Sequence, residues 1–376
     1  MTAKDYNNLA LQITVNQSAT KENTFAITPS GKLYFLSKQT GKIDVVKTDL
    51  DGSNRQTVLA GTGQEEETNT VLLASRDWKY LALQSRRESD KPRLYLIDTL
   101  TDKLTEIDSG NATFTPVGWN DHAFIYKVNR GGVLSWQPKA IALKTYNADT
   151  LQLGTIDETN AEGSSDNDFA NEQIDNVYIL KDAVIYTKSW SANYYSAYRL
   201  AGKRSGIYTV KPNGTARQVL KDFDSGTYTY ISALPYKPDE IYFSVNSNNK
   251  TDYYEYEEGA VKEDKELNNE SFNKFYATYL ASPSGQSTFW YEPRDGKNTL
   301  FTGTTDGSSP KQVASLGEYT PYGWYSDNYL LVSKGGSELF IMPVTGVDTK
   351  TAILKVTDYH KPSVSFRGYG YGYGGN

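Results

Sequence analysis

The residues of this 376-residue chain that could do chemistry are few. Cysteine is absent, which removes disulfides, thiolate metal ligands and thiol nucleophiles together. The chain has 2 histidines, His122 in the turn "WNDHAF" and His360 near the C-terminal end. Neither stands in a metal-binding spacing such as H-E-x-x-H, so a structural or surface role is expected of each. No G-x-S-x-G nucleophile elbow, phosphate-binding loop or dinucleotide glycine pattern is found. Carboxylates remain. The segment "TIDETNAEGSSDNDFANEQID" carries Asp157, Glu158, Glu162, Asp166, Asp168, Glu172 and Asp175. Such oxygens could ligate Ca2+, with Asp166, Asp168 and Glu172 as the weak candidates. The segment lacks the D-x-[DN]-x-[DN]-G-x5-E loop, so a solvated loop without a cofactor is the plainer expectation. Glycosidase or lyase chemistry needs only a correctly spaced carboxyl pair, and spacing along the sequence does not place one.

Tyrosine is the other unusual resource, with 30 copies. "SWSANYYSAYRL" contains Tyr194, Tyr195 and Tyr198, and "TDYYEYEEG" contains Tyr253, Tyr254 and Tyr256. Tyrosine offers large contact area at small entropic cost and is enriched at interface cores. Both stretches are therefore expected to form a binding surface. The competing reading is cross-strand aromatic pairing on a sheet face.

The elements that must position these residues are read from repetition. A Gly-containing turn followed by a polar, then apolar, strand recurs as "DGSNRQTVL", "PNGTARQVL" and "DGSSPKQVA". A turn followed by an aromatic or β-branched strand recurs as "PSGKLYFLS", "SRDWKYLALQS", "VGWNDHAFIYK", "ILKDAVIYTK", "YKPDEIYFSV", "SPSGQSTFWYE" and "YGWYSDNYLLVS". The copies are spaced about 40 to 60 residues apart, which is propeller-blade spacing. Each unit reads as four short strands in a meander. The expected fold is all-β: a seven-bladed β-propeller of four-stranded antiparallel blades with extra N- and C-terminal strand-like arms. The units run 22–60, 66–108, 110–157, 170–222, 226–264, 272–315 and 317–358. Trp78, Trp119, Trp290 and Trp324 occupy similar places in their units and are expected to wedge between blades.

"YGWYSDNYLLVSKGGSELFIMPVTG" resembles the repeat of TolB-like propellers, in which a Trp-Ser-Pro-Asp-Gly turn precedes an apolar strand. "SPSGQSTFWY" and "PSGKLYFLS" carry partial versions. Tyr325–Ser326 stands where Ser-Pro is usual, and Trp119–Asn120–Asp121 is shortened. The resemblance covers most of the chain and implies the propeller fold. It leaves function open, because such folds host binding, scaffolding and enzyme-associated roles.

Residues 22–358 would complete the propeller, which leaves an N-terminal arm, 1–21, and a Gly/Tyr-rich tail, 359–376. In the arm, Leu9, Leu11, Ile13 and Val15 alternate with Ala10, Gln12 and Thr14, the period of a strand with one apolar face. In the tail, Val364 and Phe366, then Tyr369, Tyr371 and Tyr373, alternate with serine and glycine. Strands need an edge to pair with, and blade edges offer one. Strand addition to a neighbouring subunit through these nine residues is the expected mode of assembly.

The bulk properties limit the partners. A formal net charge of −6 argues against nucleic acid, whose binding rests on clustered Lys and Arg. Mean hydropathy is −0.60, and no apolar run approaches the length of a membrane span. The start "MTAKDYNN" has no apolar signal region. The abundance of Asn, Ser, Thr, Tyr and Gly favours an exported protein, placed outside the cell or at its surface, with the export segment absent from this chain. The expected function is a non-enzymatic structural subunit that assembles with copies of itself into a multimer or filament. The alternative is a monomeric recognition module for a peptide or glycan, such as a cell-surface protein or glycan. A carboxylate-based glycosidase or lyase comes third.

Overall fold

The computed structural model describes residues between 25 and 358 apart from short interruptions, the longest at 132–140, 269–285 and 345–353. Both terminal arms, and with them Leu9, Leu11, Ile13, Val15, Val364, Phe366, Tyr369, Tyr371, Tyr373 and His360, lie outside the described residues. What is described is nearly all β. It forms seven antiparallel sheets, at 25–59, 71–108, 113–158, 161–224, 230–263, 287–315 and 319–358. Five of these have four strands in chain order, the fourth has five strands and the sixth has three. The first and seventh sheets are each built from four consecutive strands of their own.

Local chemistry explains the meanders. Asp295 and Gly296 have φ of 51° and 71° and close the two-residue hairpin between Arg294 and Lys297. Positive φ at both central positions matches the right-handed twist of the strands, which is why Asp-Gly is favoured there. Asp121, at φ 45°, turns the hairpin that joins Asn120 to Ala123.

Burial follows strand position within a sheet. The second strand of the second sheet, Tyr80–Ser85, is buried along its whole length, whereas the outermost strand of the fourth, Gln218–Asp224, is mostly exposed. A strand buried on both faces requires a layer on each side. The core clusters supply those layers. Leu94 and Leu96 pack with Phe114, Phe124 and Tyr126 across the second and third sheets. Leu143 and Ile156 pack with Val184 and Tyr186 across the third and fourth. Ile185 and Ile207 meet Ile241 and Phe243 across the fourth and fifth, and Leu300 meets Leu330 across the sixth and seventh. Each such side chain contributes about 1.5–3 kcal/mol on burial. Trp119 is buried in the second-to-third interface and donates to the carbonyl of Leu73 at 3.2 Å, the wedge expected of it. Trp290 stacks on Phe301 of its own sheet.

The first strands of the first three sheets touch in succession, and the run of contacts continues through the second strand of the fourth sheet, Asp168–Ile179, to the first strand of the fifth. In six of the sheets the outermost strand carries one extra residue against its neighbour. That residue is Val58, Ile107, Ile156, Leu220, Val313 or Val356, always aliphatic. The recurring "QTVL", "QVL" and "QVA" phrases are this bulged edge. Bulges twist an edge and interrupt its ladder, which makes it a poor template for another strand.

The acidic segment is not a solvated loop. Gln152–Glu158, Ala161–Ser165 and Asp168–Ile179 place almost all of it in strands, because its carboxylates find partners across the sheets.

Candidate functional site

The fourth sheet is the irregular one. Its strands Asp168–Ile179 and Val184–Ala192 have 12 and 9 residues. Pairing of Val184–Ala192 with the next strand, Arg204–Val210, stops at Lys188. The two long strands continue together from there, pairing Ala170 with Ala192 and Gln173 with Ser189. The overhang carries the extra strand Ala161–Ser165 on one side and the 3-10 helix Tyr194–Leu200 above it. Antiparallel order puts this helix at the end of the sheet where Asp168–Ile179 begins.

The overhang has a small core of its own, in which Ala170, Trp190 and Leu200 pack together. Asn193 caps the helix by accepting from the Ser196 backbone N–H at 2.8 Å, the usual remedy for unpaired N-terminal donors. Arg199 clamps Asp168 with two donors, Nη2 to Oδ2 at 2.7 Å being one of them. Tyr198 donates its hydroxyl to the same carboxylate at 2.5 Å. Arg199 and then Tyr198 hold the Asp168 carboxyl down to about 2. Lys203 pairs with Glu162 and lies 4.4 Å over the Trp190 ring, a cation–π contact. Gly163 lets the extra strand turn. Its φ is +94°, and a Cβ there would sit 1.9 Å from the Asp168 carbonyl oxygen.

On this anchored backbone three tyrosines face outward. Tyr194 is 85%, Tyr195 71% and Tyr198 65% exposed. The rings of Tyr194 and Tyr195 stand at 82° to each other with centroids 5.7 Å apart. Contiguous exposed aromatics on a fixed support mark interaction sites more often than scattered ones do.

The other expected tyrosines behave differently. Tyr254 and Tyr256 are buried between the fourth and fifth sheets, and Tyr254 meets Phe223 edge-on at 5.4 Å. Tyr253 is half-buried on the opposite face. Tyr254 and Tyr256 therefore do not form the binding surface expected of them, because the neighbouring sheet covers their side of the strand.

The weak metal candidates separate too. Asp166 lies outside the described residues. Asp168 is spent on Arg199. Glu172 is buried, 3.1 Å from Lys188, and accepts from the backbone N–H of Asn160 at 3.0 Å. Among the described residues no three His, Asp or Glu side chains gather as a metal site.

One arrangement escaped the sequence reading. The residue after the outer-strand bulge is Asp108 in the second sheet and Asp157 in the third. Asp108 accepts from Tyr126 at 3.1 Å and pairs with Lys144 at 3.1 Å, both in the third sheet. Asp157 accepts from Tyr186 at 2.9 Å and pairs with Lys188 at 3.4 Å, both in the fourth. The bulge aims the carboxylate at the next sheet's Tyr and Lys, so the same clasp recurs. Its signal was the Ile-Asp pair closing one unit and the Ile-Tyr pair opening the next. His122 joins a different clasp, its Nδ1 2.5 Å from Asp149, which also takes Lys79 and the Tyr80 hydroxyl, each at 3.0 Å.

Neither a family model nor a curated protein matches the chain. Solved structures do. A prolyl endopeptidase is similar over 94% of this chain and 52% of its own, at 12% identity and a TM-score of 0.49. An oligogalacturonate lyase from Vibrio parahaemolyticus is similar over 89% and 85%, at 10% identity and a TM-score of 0.44. TolB from Acinetobacter baumannii is similar over 74% and 62%, at 16% identity and a TM-score of 0.36. The chain spans about half the length of the peptidases it matches.

The expected self-assembling structural role does not stand. The similar structures are mostly peptidases and a lyase, and none of these points to a filament subunit. No helix of the described residues is long and apolar enough to cross a membrane.

Proposed function

We propose that the chain is a TolB-like propeller whose seven sheets are blades around a common axis, and that it serves as a recognition domain rather than a catalyst. Contact between successive sheets along one side, from the first through Asp168–Ile179 of the fourth to the fifth, supports the radial arrangement, as does the burial that rises from the outer strand to the inner ones. The observation that carries the recognition role is the tyrosine ledge. Three exposed rings sit on a helix held by a cap, two ion pairs and a buried tryptophan. A rigid aromatic surface loses little entropy when it is covered.

The test is paired peptide and glycan arrays, probed with the full chain and with the triple variant Tyr194→Ala, Tyr195→Ala, Tyr198→Ala. The full chain is expected to be retained by one class, and the triple variant to lose that signal. Blank arrays, or retention that survives the triple substitution, would overturn the reading.

A further inference from the structure

We infer that the occupant of the tyrosine ledge is a neutral polysaccharide. The inference rests on the ledge being a recognition surface and adds the chemistry of what it recognises. Charge is the first argument. The ledge holds two cations and two anions, and they neutralise one another as Arg199 with Asp168 and Lys203 with Glu162. A phosphate, a polyuronate or a charged peptide would have to break one of these pairs to gain its own. Such recognition normally uses arginines whose donors are free.

The rings are the second argument. Tyr194 and Tyr195 are the most exposed of the three tyrosines. An aromatic ring with a polar tip suits a partner that is apolar on one face and wet at its rim. A sugar ring has that character, with C–H groups on its face and hydroxyls around its edge. The perpendicular setting of Tyr194 and Tyr195 presents two differently oriented faces. Tyr198 follows Tyr195 by one 3-10 turn, about 6 Å along the axis. A run of linked sugars meets a row of such faces without needing main-chain partners.

Affinity gel electrophoresis of the full chain decides the matter, with gels containing a soluble neutral glucan, a galactomannan, a xylan or polygalacturonate. At least one neutral polymer is expected to retard the protein, with no loss on raising the salt, because no counter-charge is involved. Tyr194→Ala with Tyr195→Ala should weaken the retardation at least tenfold and leave the thermal midpoint unchanged. Tyr194→Phe with Tyr195→Phe should keep most of it, since the ring faces remain. Retardation by polygalacturonate alone, abolished by salt, would overturn the inference. So would ledge-dependent binding on the peptide array, which would leave the recognition role standing. Self-association that the double alanine variant abolishes would make the ledge a contact between copies and overturn it as well. Silence in every gel and on both arrays would remove both readings.

Discussion

Trp190 and its neighbours separate two jobs that tyrosine-rich sequence runs together. Trp190 is 8% exposed under the ledge, so Trp190→Ala should cost about 3 kcal/mol or more, read from urea unfolding. Tyr194→Ala, on the surface above it, should stay within about 0.5 kcal/mol. The clasps make a matched pair. Tyr126 and Tyr186 are fully buried, and burial raises both phenols well above their ordinary range, so both remain neutral donors. Tyr126→Phe leaves Asp108 one donor short and Tyr186→Phe does the same to Asp157, each costing about 1–2 kcal/mol. Similar losses in the two variants are expected. A large loss in one and none in the other would show that the clasps are not equivalent.

Acid sensitivity belongs to the ion pairs that join elements. Asp149 is held down to about 2, first by His122 and then by Lys79, and Asp168 lies at about the same value because of Arg199. The ordinary value is 3.8, so the unfolded chain takes up these protons at higher pH than the folded one. The stabilisation is therefore complete above about pH 4 and is lost as pH falls toward about 2. Both groups face solvent, so each share is small. Asp168→Asn should flatten part of the decline in urea midpoint across that window. A curve that stays parallel to wild type would reject the assignment. The extra strand of the fourth sheet makes a second prediction at this scale. Gly163→Ala forces a side chain into the Asp168 carbonyl, so the hairpin 161–171 should open. Hydrogen exchange should rise there and at the ledge while the buried second strands stay protected.

At the scale of the molecule, the question is whether the sheets close into a ring. A compact 376-residue body has a radius of gyration of about 21 Å. Small-angle scattering should return about that value for a closed ring, and a clearly larger one for an open row of sheets. Removal of divalent ions is expected to leave the thermal midpoint unchanged, because the acidic side chains of the fourth sheet are satisfied by Lys and Arg. A large drop in EDTA would expose a cation site beyond the described residues.

Strand rhythm, turn residues and the aliphatic-bulge phrase are local properties, so the order of the sheets and their four-strand habit were legible along the chain. Even the clasp left a trace, in the Ile-Asp and Ile-Tyr pairs at unit boundaries. What the chain could not declare was which faces would be covered. "NYYSAY" and "TDYYEYE" look alike as letters, yet the first is exposed at the ledge and the second has Tyr254 and Tyr256 packed beneath the fourth sheet. The acidic run looked like a solvated loop until Arg199, Lys203 and Lys188, up to 41 residues away, came across to meet it. Burial and charge pairing depend on neighbours distant in sequence, and only the packing of sheet on sheet chooses those neighbours.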